Sequence, residues 1–586
     1  MRLFLFFARA YPWHSCLMLV CVLLATVAEG IGFSTLLPVL TLATQMDQAG
    51  HDTTRPGKAG FGRLVAQALG SVGLQPTIGA LCAVVIVGMA LKAGFLFLAQ
   101  RQTGFTVAQM STNLRLLLLR TVFTARWEYY VRQPLGSIAN AFTSEASRAA
   151  ESYLHATSIV ALTIQTLLYV SLATMMSWRV TLAAVTVGGL LSTVFSRLVR
   201  ATRNAGARQT TVLKSLLSQL MDVLYAAKPL KAMARESLVS PLLEAQTQQL
   251  NQAFRREILS KETLRAIQDP VVIIVLTAGL YLAVTRWALS LDAIIAMLLL
   301  SERTLSSLNK MQRQYQLLVA CESAFWSFQG TIDQAAAARE VTRTGTLPPL
   351  VHGITLDAVS IAYHGKTVLQ DVSLRIPAKH VTVLVGPSGA GKTSFVDAII
   401  GLVPPATGEI LLDDLPLHEV DIRAWRWQVG YVPQEVLLLH DSIFLNVTVG
   451  DKAFGEADVE AALRAANAWE FVAGLPEGMH TKMGERGSRF SGGQRQRIAI
   501  ARALIHKPQL LILDEATAAL DDDCEAAICA SVHKLRRAMT ILVVSHRPAL
   551  LEAADVVYRV DEGTVCQINT VRPLPQLVMG NKGAQE

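Results

Sequence analysis

The chain has 586 residues, of which 52% are hydrophobic and 17% charged, against roughly 25% charged in soluble globular proteins. Its net charge of +8 is unevenly spread: the first 345 residues carry 31 Lys and Arg against 17 Asp and Glu, the rest 22 against 28. The positive excess therefore belongs to the apolar part, which excludes a nucleic-acid-binding surface on a soluble domain and points to a membrane part followed by a slightly acidic soluble part.

Six stretches are long and apolar enough to read as membrane spans, at about 15–44, 78–100, 157–177, 180–199, 271–285 and 291–318. The first has no polar break before a cleavage site and reads as a span, not a signal peptide. Short turns alternate with long polar, helix-rich connections. Residues 101–150 hold six Lys and Arg and 197–265 hold twelve, whereas the three opposite loops hold Arg55, Lys58, Arg63, Arg179 and Arg286. The positive-inside rule then places the long connections, both termini and everything after residue 320 in the cytoplasm. Helices that extend tens of residues beyond a bilayer are suited to touching a soluble partner.

Glu29 in the first span and Lys92 in the second fall at similar depth if their helices are antiparallel neighbours. Each alone costs about 2.5–3.5 kcal/mol on insertion scales, so a structural ion pair is expected. In the last span Glu302, Arg303, Asn309, Gln312, Arg313 and Gln316 form a polar face, read either as a cavity lining or as helix contact. The seven cysteines form no CxxC pair and are read as reduced packing residues.

A polar, Ala-, Thr- and Pro-containing segment, 331–349, reads as a linker between a membrane domain, 1–330, and a soluble domain, 350–586. The soluble domain alternates short apolar runs with helical ones, the pattern of an α/β fold. VTVLV (381–385) reads as a buried strand, followed by GPSGAGKT (386–393) and an apolar helix. That is a complete P-loop in the context it requires. Gly386, Ser388, Gly389, Gly391 and Ser394 belong to a loop whose backbone N–H groups close around phosphate oxygens, Lys392 reaches the outer phosphates, and Thr393 binds Mg²⁺.

A second strand (510–513) ends in Asp514 and Glu515. The first acid is placed to hold Mg²⁺ and the second to polarise an attacking water. A third strand (540–544) leads to Ser545 and His546, which is expected at a γ-phosphate. FSGGQRQRIAIARAL (490–504) opens a helix with Ser491, Gly492, Gly493 and Gln494, a second anion site at a helix N-terminus. Two phosphate sites of this kind in one chain imply nucleotide sandwiched between two copies of the domain.

With these motifs in order, the chain resembles an ATP-binding cassette (ABC) exporter: a polytopic α-helical membrane domain of six spans, with long cytoplasmic extensions, followed by an α/β P-loop cassette. The resemblance covers essentially the whole chain. It implies that Tyr363 stacks on adenine, that Gln434 in YVPQ is the Q-loop glutamine near Mg²⁺, and that GERG (484–487) is the exporter loop. It further implies that Asp521 in AALD belongs to the D-loop, and that 129–136 and 213–225 are the coupling segments. Phe490 stands where Leu is usual and Ala518 where Ser is usual; both catalytic groups, Glu515 and His546, are kept, which favours a homodimer over a dimer with a degenerate partner.

The resemblance implies ATP and Mg²⁺ as cofactors, a location embedded in the bacterial inner membrane, and ATP-driven alternating access. In the outer loop, 45–75, Phe61, Leu64, Val65, Ala68 and Leu69 form an amphipathic stripe. Together with AEGIGFSTLLPVL (28–40) it resembles the bacterial flippases for lipid-linked oligosaccharides. The expected substrate is amphiphilic, a lipid or lipid-linked glycan, with a peptide or multidrug exporter as the alternative and an ATP-gated channel less favoured.

Overall fold

The computed structural model describes residues 12–47, 78–176, 178–285, 291–341, 349–363, 365–484, 487–515 and 522–568. The outer-loop stripe from Phe61 to Leu69, Asp521 of the D-loop, and Glu485 and Arg486 of GERG lie outside these residues. The chain divides into two compact units, Met1–Arg339 and Glu340–Glu586.

Six long helices build the first unit: α1 (Pro12–Asp47), α2 (Ile78–Phe123), α3 (Ala146–Met176), α4 (Trp178–Tyr225), α5 (Glu236–Thr285) and α6 (Leu291–Ala337). They pack chiefly as α1 on α2, α3 on α6, and α4 on α5. Among the described residues, four stretches within this unit are long and apolar enough to cross a membrane. Their outward side chains, such as Ile86, Phe97, Leu167, Ile273 and Ile274, are exposed and apolar, as a lipid-facing surface requires. Inside, small residues permit close approach: Ala146, Ala149 and Ala150 of α3 are fully buried, the first clustered with Phe328 and the other two with Tyr153 and Phe325. Several hydroxyls are satisfied within their own helix; Thr103, Thr157 and Thr166 each donate to the carbonyl four residues earlier.

The connection from α2 to α3 folds into two short helices, Trp127–Arg132 and Leu135–Asn140. They separate at Gln133, which is extended (φ −101°, ψ 124°) because it precedes Pro134. The second expected coupling segment needs correction. Residues 213–225 are the continuous end of α4, and the short connecting helix is Ala227–Ala232. Pro229 accounts for the placement, since proline is tolerated in a first helical turn and not inside α4. The stretch read as the start of a linker is likewise helical through Ala337. Its run of alanines, taken as a composition change, is a run of the best helix former.

Glu29 and Lys92 form an ion pair, as their matched depths require, and Gln165 Nε2 donates to the Glu29 carboxylate at 2.9 Å. The polar face of α6 divides its roles. Gln312 accepts from Gln268 of α5 at 3.2 Å, Gln316 is buried, and Glu302 lies beside Arg303 at 3.6 Å on the surface of the unit.

The second unit holds two sheets. An antiparallel one has the order β2 (Lys366–Pro377), β1 (Gly353–Tyr363), β4 (Thr407–Leu412), β5 (Leu415–Pro416). The other has the order β10 (Thr564–Ile568), β9 (Val556–Asp561), β3 (Val381–Val385), β8 (Thr540–Val544), β7 (Leu510–Asp514), β6 (Val429–Val432), parallel from β9 to β6. β3, β7 and β8 are buried throughout, which explains their uninterrupted apolar sequences. The register pairs Leu384 with Val544 and Val544 with Asp514, so three strands end at one level of the sheet.

Candidate active site

That shared level places the P-loop after β3, Glu515 after β7 and Ser545 with His546 after β8, at the carboxyl edge where parallel sheets bind ligands. The loop leads into α7 (Lys392–Ile400), whose N-cap is Gly391. Two of its glycines are required sterically. Gly386 has φ +155° and a Cβ there would lie 2.1 Å from the Val560 carbonyl oxygen; Gly391 has φ +106°. The Lys392 ammonium lies 2.6 Å from the Gly386 carbonyl and 3.0 Å from that of Pro387, folded within the loop. Ser388, Gly389 and Thr393 are exposed, and Ser394 is half-buried beside the Tyr363 hydroxyl.

Asp514 is buried, with the Tyr431 hydroxyl 3.4 Å from its Oδ2. Burial pushes its carboxyl up, and the Glu515 charge adds to the effect. Glu515 itself has φ +48°, a region sparsely used by residues with a Cβ, of order 1–3 kcal/mol in cost. Its Oε2 accepts from Gln434 Nε2 at 2.6 Å, and its Oε1 lies 3.6 Å from Lys392 Nζ. His546 is exposed at the end of β8, and the backbone N–H of Ser545 donates to Leu384 at 3.2 Å. The P-loop, Gln434, the adjacent Asp514 and Glu515, and His546 are thus gathered from four separate places in the sequence.

The signature residues stand apart from this group. They open α8 (Gly492–Leu504) and close on themselves: Gln494 N donates to Ser491 Oγ at 3.2 Å, and Ser491 N to Gln494 Oε1 at 3.0 Å. Gly493 is buried behind them. Among the described residues no hydrogen bond or ion pair joins Ser491, Gly493 or Gln494 to the P-loop.

Three supporting residues escaped the sequence reading. Asp397 of α7 interacts with the Tyr363 hydroxyl, and burial, followed by the Asp514 charge, pushes its carboxyl up to about 6. Tyr363 accordingly has its hydroxyl tied to the P-loop helix, with its ring half-buried against the core. Asn446, fully buried, bonds the backbone of Leu439, Asp441 and Ser442, and Arg502 grips both Asn446 and the Leu437 carbonyl, fixing the chain that follows Gln434. The only advance signal for the last pair was an Arg inside the apolar run of the signature helix.

Comparison with known proteins gives a consistent result. The family model described as ABC transporter transmembrane region matches residues 16–308, and the one described as ABC transporter matches 369–518. The chain is 28% identical over 517 residues to an ATP-dependent lipid A-core flippase of Chromobacterium violaceum, covering 85% of this chain and 86% of the relative. It is 26% identical over 504 residues to the heterocyst differentiation ATP-binding protein HepA of Nostoc sp., covering 84% and 81%. A solved bacterial Atm1-family ABC exporter with ATP bound superposes with a TM-score of 0.77 at 20% identity, over 95% of each chain, and shares the fold.

Proposed function

The chain belongs to the ABC transporter family, an integral membrane ATP hydrolase coupled to transport, and from that premise we propose that it is a flippase for a lipid or lipid-linked glycan. The observation that carries the mechanism is the position of Glu515, held at a strand end between Gln434 and Lys392. In this reading Glu515 orients and deprotonates the attacking water, Lys392 and His546 take the γ-phosphate, and Tyr363 faces the adenine. Thr393, Asp514 and Gln434 would hold Mg²⁺. They fit a hard cation, since a hydroxyl, a buried carboxylate and an amide oxygen are all oxygen donors, and Gln434 spends its Nε2 on Glu515, leaving Oε1 as an acceptor. When bound, the ion neutralises charge developing on the phosphates.

The active unit in this proposal is a homodimer, in which Ser491, Gly493, Gln494 and Asp521 of one copy complete the nucleotide site of the other. The cassette is cytoplasmic and the spans lie in a bacterial inner membrane, following the Lys and Arg distribution. ATP closes two cassettes because closure completes its site, and that differential affinity drives the spans between inward and outward states. The lipid assignment is supported by the similarity to a lipid A-core flippase and by the exposed apolar helices. Nothing comparable favours a peptide, drug or channel reading.

The test is ATP-dependent translocation of fluorescent lipids by the full chain in proteoliposomes. Net lipid movement that requires ATP and is abolished by Lys392→Ala supports the proposal. Export of a water-soluble peptide without lipid movement overturns it.

A further inference from the structure

The C-terminal end of the P-loop helix α7 is held by two consecutive side chains. Trp425, fully buried, donates from Nε1 to the Ile399 carbonyl at 2.9 Å, and Arg426 donates from Nε to Ile400 at 3.3 Å and from Nη2 to Gly401 at 2.6 Å. The last carbonyls of the helix thereby find partners, and the guanidinium charge meets the negative end of the helix dipole. Arg426 has a further partner that capping does not require. Its Nη1 and Nη2 donate to the two carboxylate oxygens of Glu340 at 2.9 and 2.6 Å, the two-pronged geometry of a strong, directional ion pair. Both side chains are largely shielded from solvent, so salt screens the pair less than it would one on the surface. Glu340 is the first residue of the cassette unit.

The helical unit ends in an attachment of its own. Arg126 N donates to the Ala338 carbonyl at 2.8 Å, Ala125 and Arg339 form an antiparallel bridge, and Gln133 Nε2 donates to Gln334 Oε1 at 3.1 Å. These bonds fasten both ends of the short helix Trp127–Arg132 to the last residues of this unit. One peptide bond, from Arg339 to Glu340, then leads to the grip of Arg426. No residue is left free between the two attachments.

We propose that Glu340 and Arg426 are a tether that passes displacement of the P-loop helix, through the covalent chain, to the short helix Trp127–Arg132. This deepens the coupled-transport reading and rests on it. The helix Lys392–Ile400 meets the phosphates at its first turn and Arg426 at its last, so a rigid-body shift at one end is felt at the other. Because the pair and the bridge flank a single peptide bond, that shift is not absorbed by loose chain. Glu340 is a positioning residue: it acts through Arg426. A cap that served stability alone would need Arg426 but neither the carboxylate nor the direct join.

The experiment uses the full chain in lipid nanodiscs, with hydrogen exchange read by mass spectrometry with and without ATP and orthovanadate. In the wild type, exchange is expected to slow at 386–400 and to change at 124–133. Two variants break the tether in different ways. Glu340→Ala removes the ion pair and leaves the Arg426 cap, whereas insertion of Gly-Ser-Gly-Ser between Arg339 and Glu340 keeps both attachments and adds slack. Both should keep the response at 386–400 and basal ATP hydrolysis within about twofold of wild type, while the response at 124–133 falls by about fivefold or more. A full response at 124–133 in either variant, or none in the wild type, overturns the proposal; a lowered melting temperature of Glu340→Ala with that response intact would show a purely structural pair and also overturn it. The readout needs no cargo, which separates it from the function itself. Failure of lipid translocation refutes the lipid reading and leaves the tether, whereas translocation by variants with undiminished exchange responses refutes the tether and leaves the transport reading.

Discussion

Gln434 Nε2 lies 2.6 Å from Glu515 Oε2, and the opposite oxygen of the same carboxylate lies 3.6 Å from Lys392 Nζ. Glu515 is thereby tied to two groups that, in the proposed mechanism, serve the metal and the outer phosphates. Binding of nucleotide must exchange these contacts, so Glu515 reports the occupancy of the site through its own neighbours. Its positive φ is a strained backbone conformation, which the contacts around the strand end must hold.

Replacing Glu515 by Gln removes the proton acceptor while leaving the P-loop, Lys392 and Asp514 in place. ATP turnover is expected to fall by about 10²–10⁴-fold, with ATP binding retained. Steady-state hydrolysis beside a nucleotide-binding measurement checks this; near-normal turnover would rule out the role of base.

A composite site makes a complementation result possible. Ser491→Arg and Lys392→Ala should each be inactive alone as homodimers, yet a mixed dimer retains one intact site. Co-purified heterodimers should recover measurable hydrolysis. Normal activity of either single variant alone would count against the sandwich.

Glu29 and Lys92 should behave as one unit in a thermal-stability cycle. Glu29→Gln or Lys92→Met leaves a buried charge without its partner and should destabilise by about 3–5 kcal/mol, whereas the double replacement should recover most of the loss. Strictly additive losses would show that the contact carries no coupling.

Gly136, in the short helix Leu135–Asn140, lies so close to α4 that a Cβ would stand 2.5 Å from the Ser218 Cα. Gly136→Ala should therefore destabilise the helical unit by about 1–3 kcal/mol. Gly94→Ala, where nothing lies within 4 Å, is the matched control and should be neutral or slightly stabilising. Equal melting shifts for the two variants would contradict the close approach.

Asp397 gives the cassette a pH dependence of definite sign. Its carboxyl is raised to about 6, by burial first and by Asp514 second, so folding favours its neutral form. That contribution stabilises the fold in acid and is lost as pH rises from about 4 through about 6. Asp397→Asn, which keeps a polar partner for Tyr363, should raise the melting temperature by about 2–4 °C at pH 7.5 and show little difference near pH 4. A gap that widens toward acid would reverse the assignment.

The sequence by itself determined the features that are local or set by solvent. Apolar length required the long helices, a complete P-loop between strand and helix located the phosphate site, and the cost of isolated charges in lipid matched Glu29 to Lys92 across 63 positions. Side-chain orientation between distant elements was left to the tertiary structure. The sheet register alone aligns Asp514 with Val544 and Leu384, and so brings Glu515 to Gln434. Packing buries Asp397 near Asp514, and joins Asn446 to Arg502 across 56 residues. Likewise the α6 side chains that line a cavity among α1, α2, α3 and α6 are Lys310 and Gln314, not the polar face of Glu302, Arg303, Asn309, Gln312, Arg313 and Gln316 that the sequence singled out. Hydropathy fixes how much of a helix is buried, but the helix's rotation follows from which neighbours its ridges meet, and those neighbours lie far away along the chain.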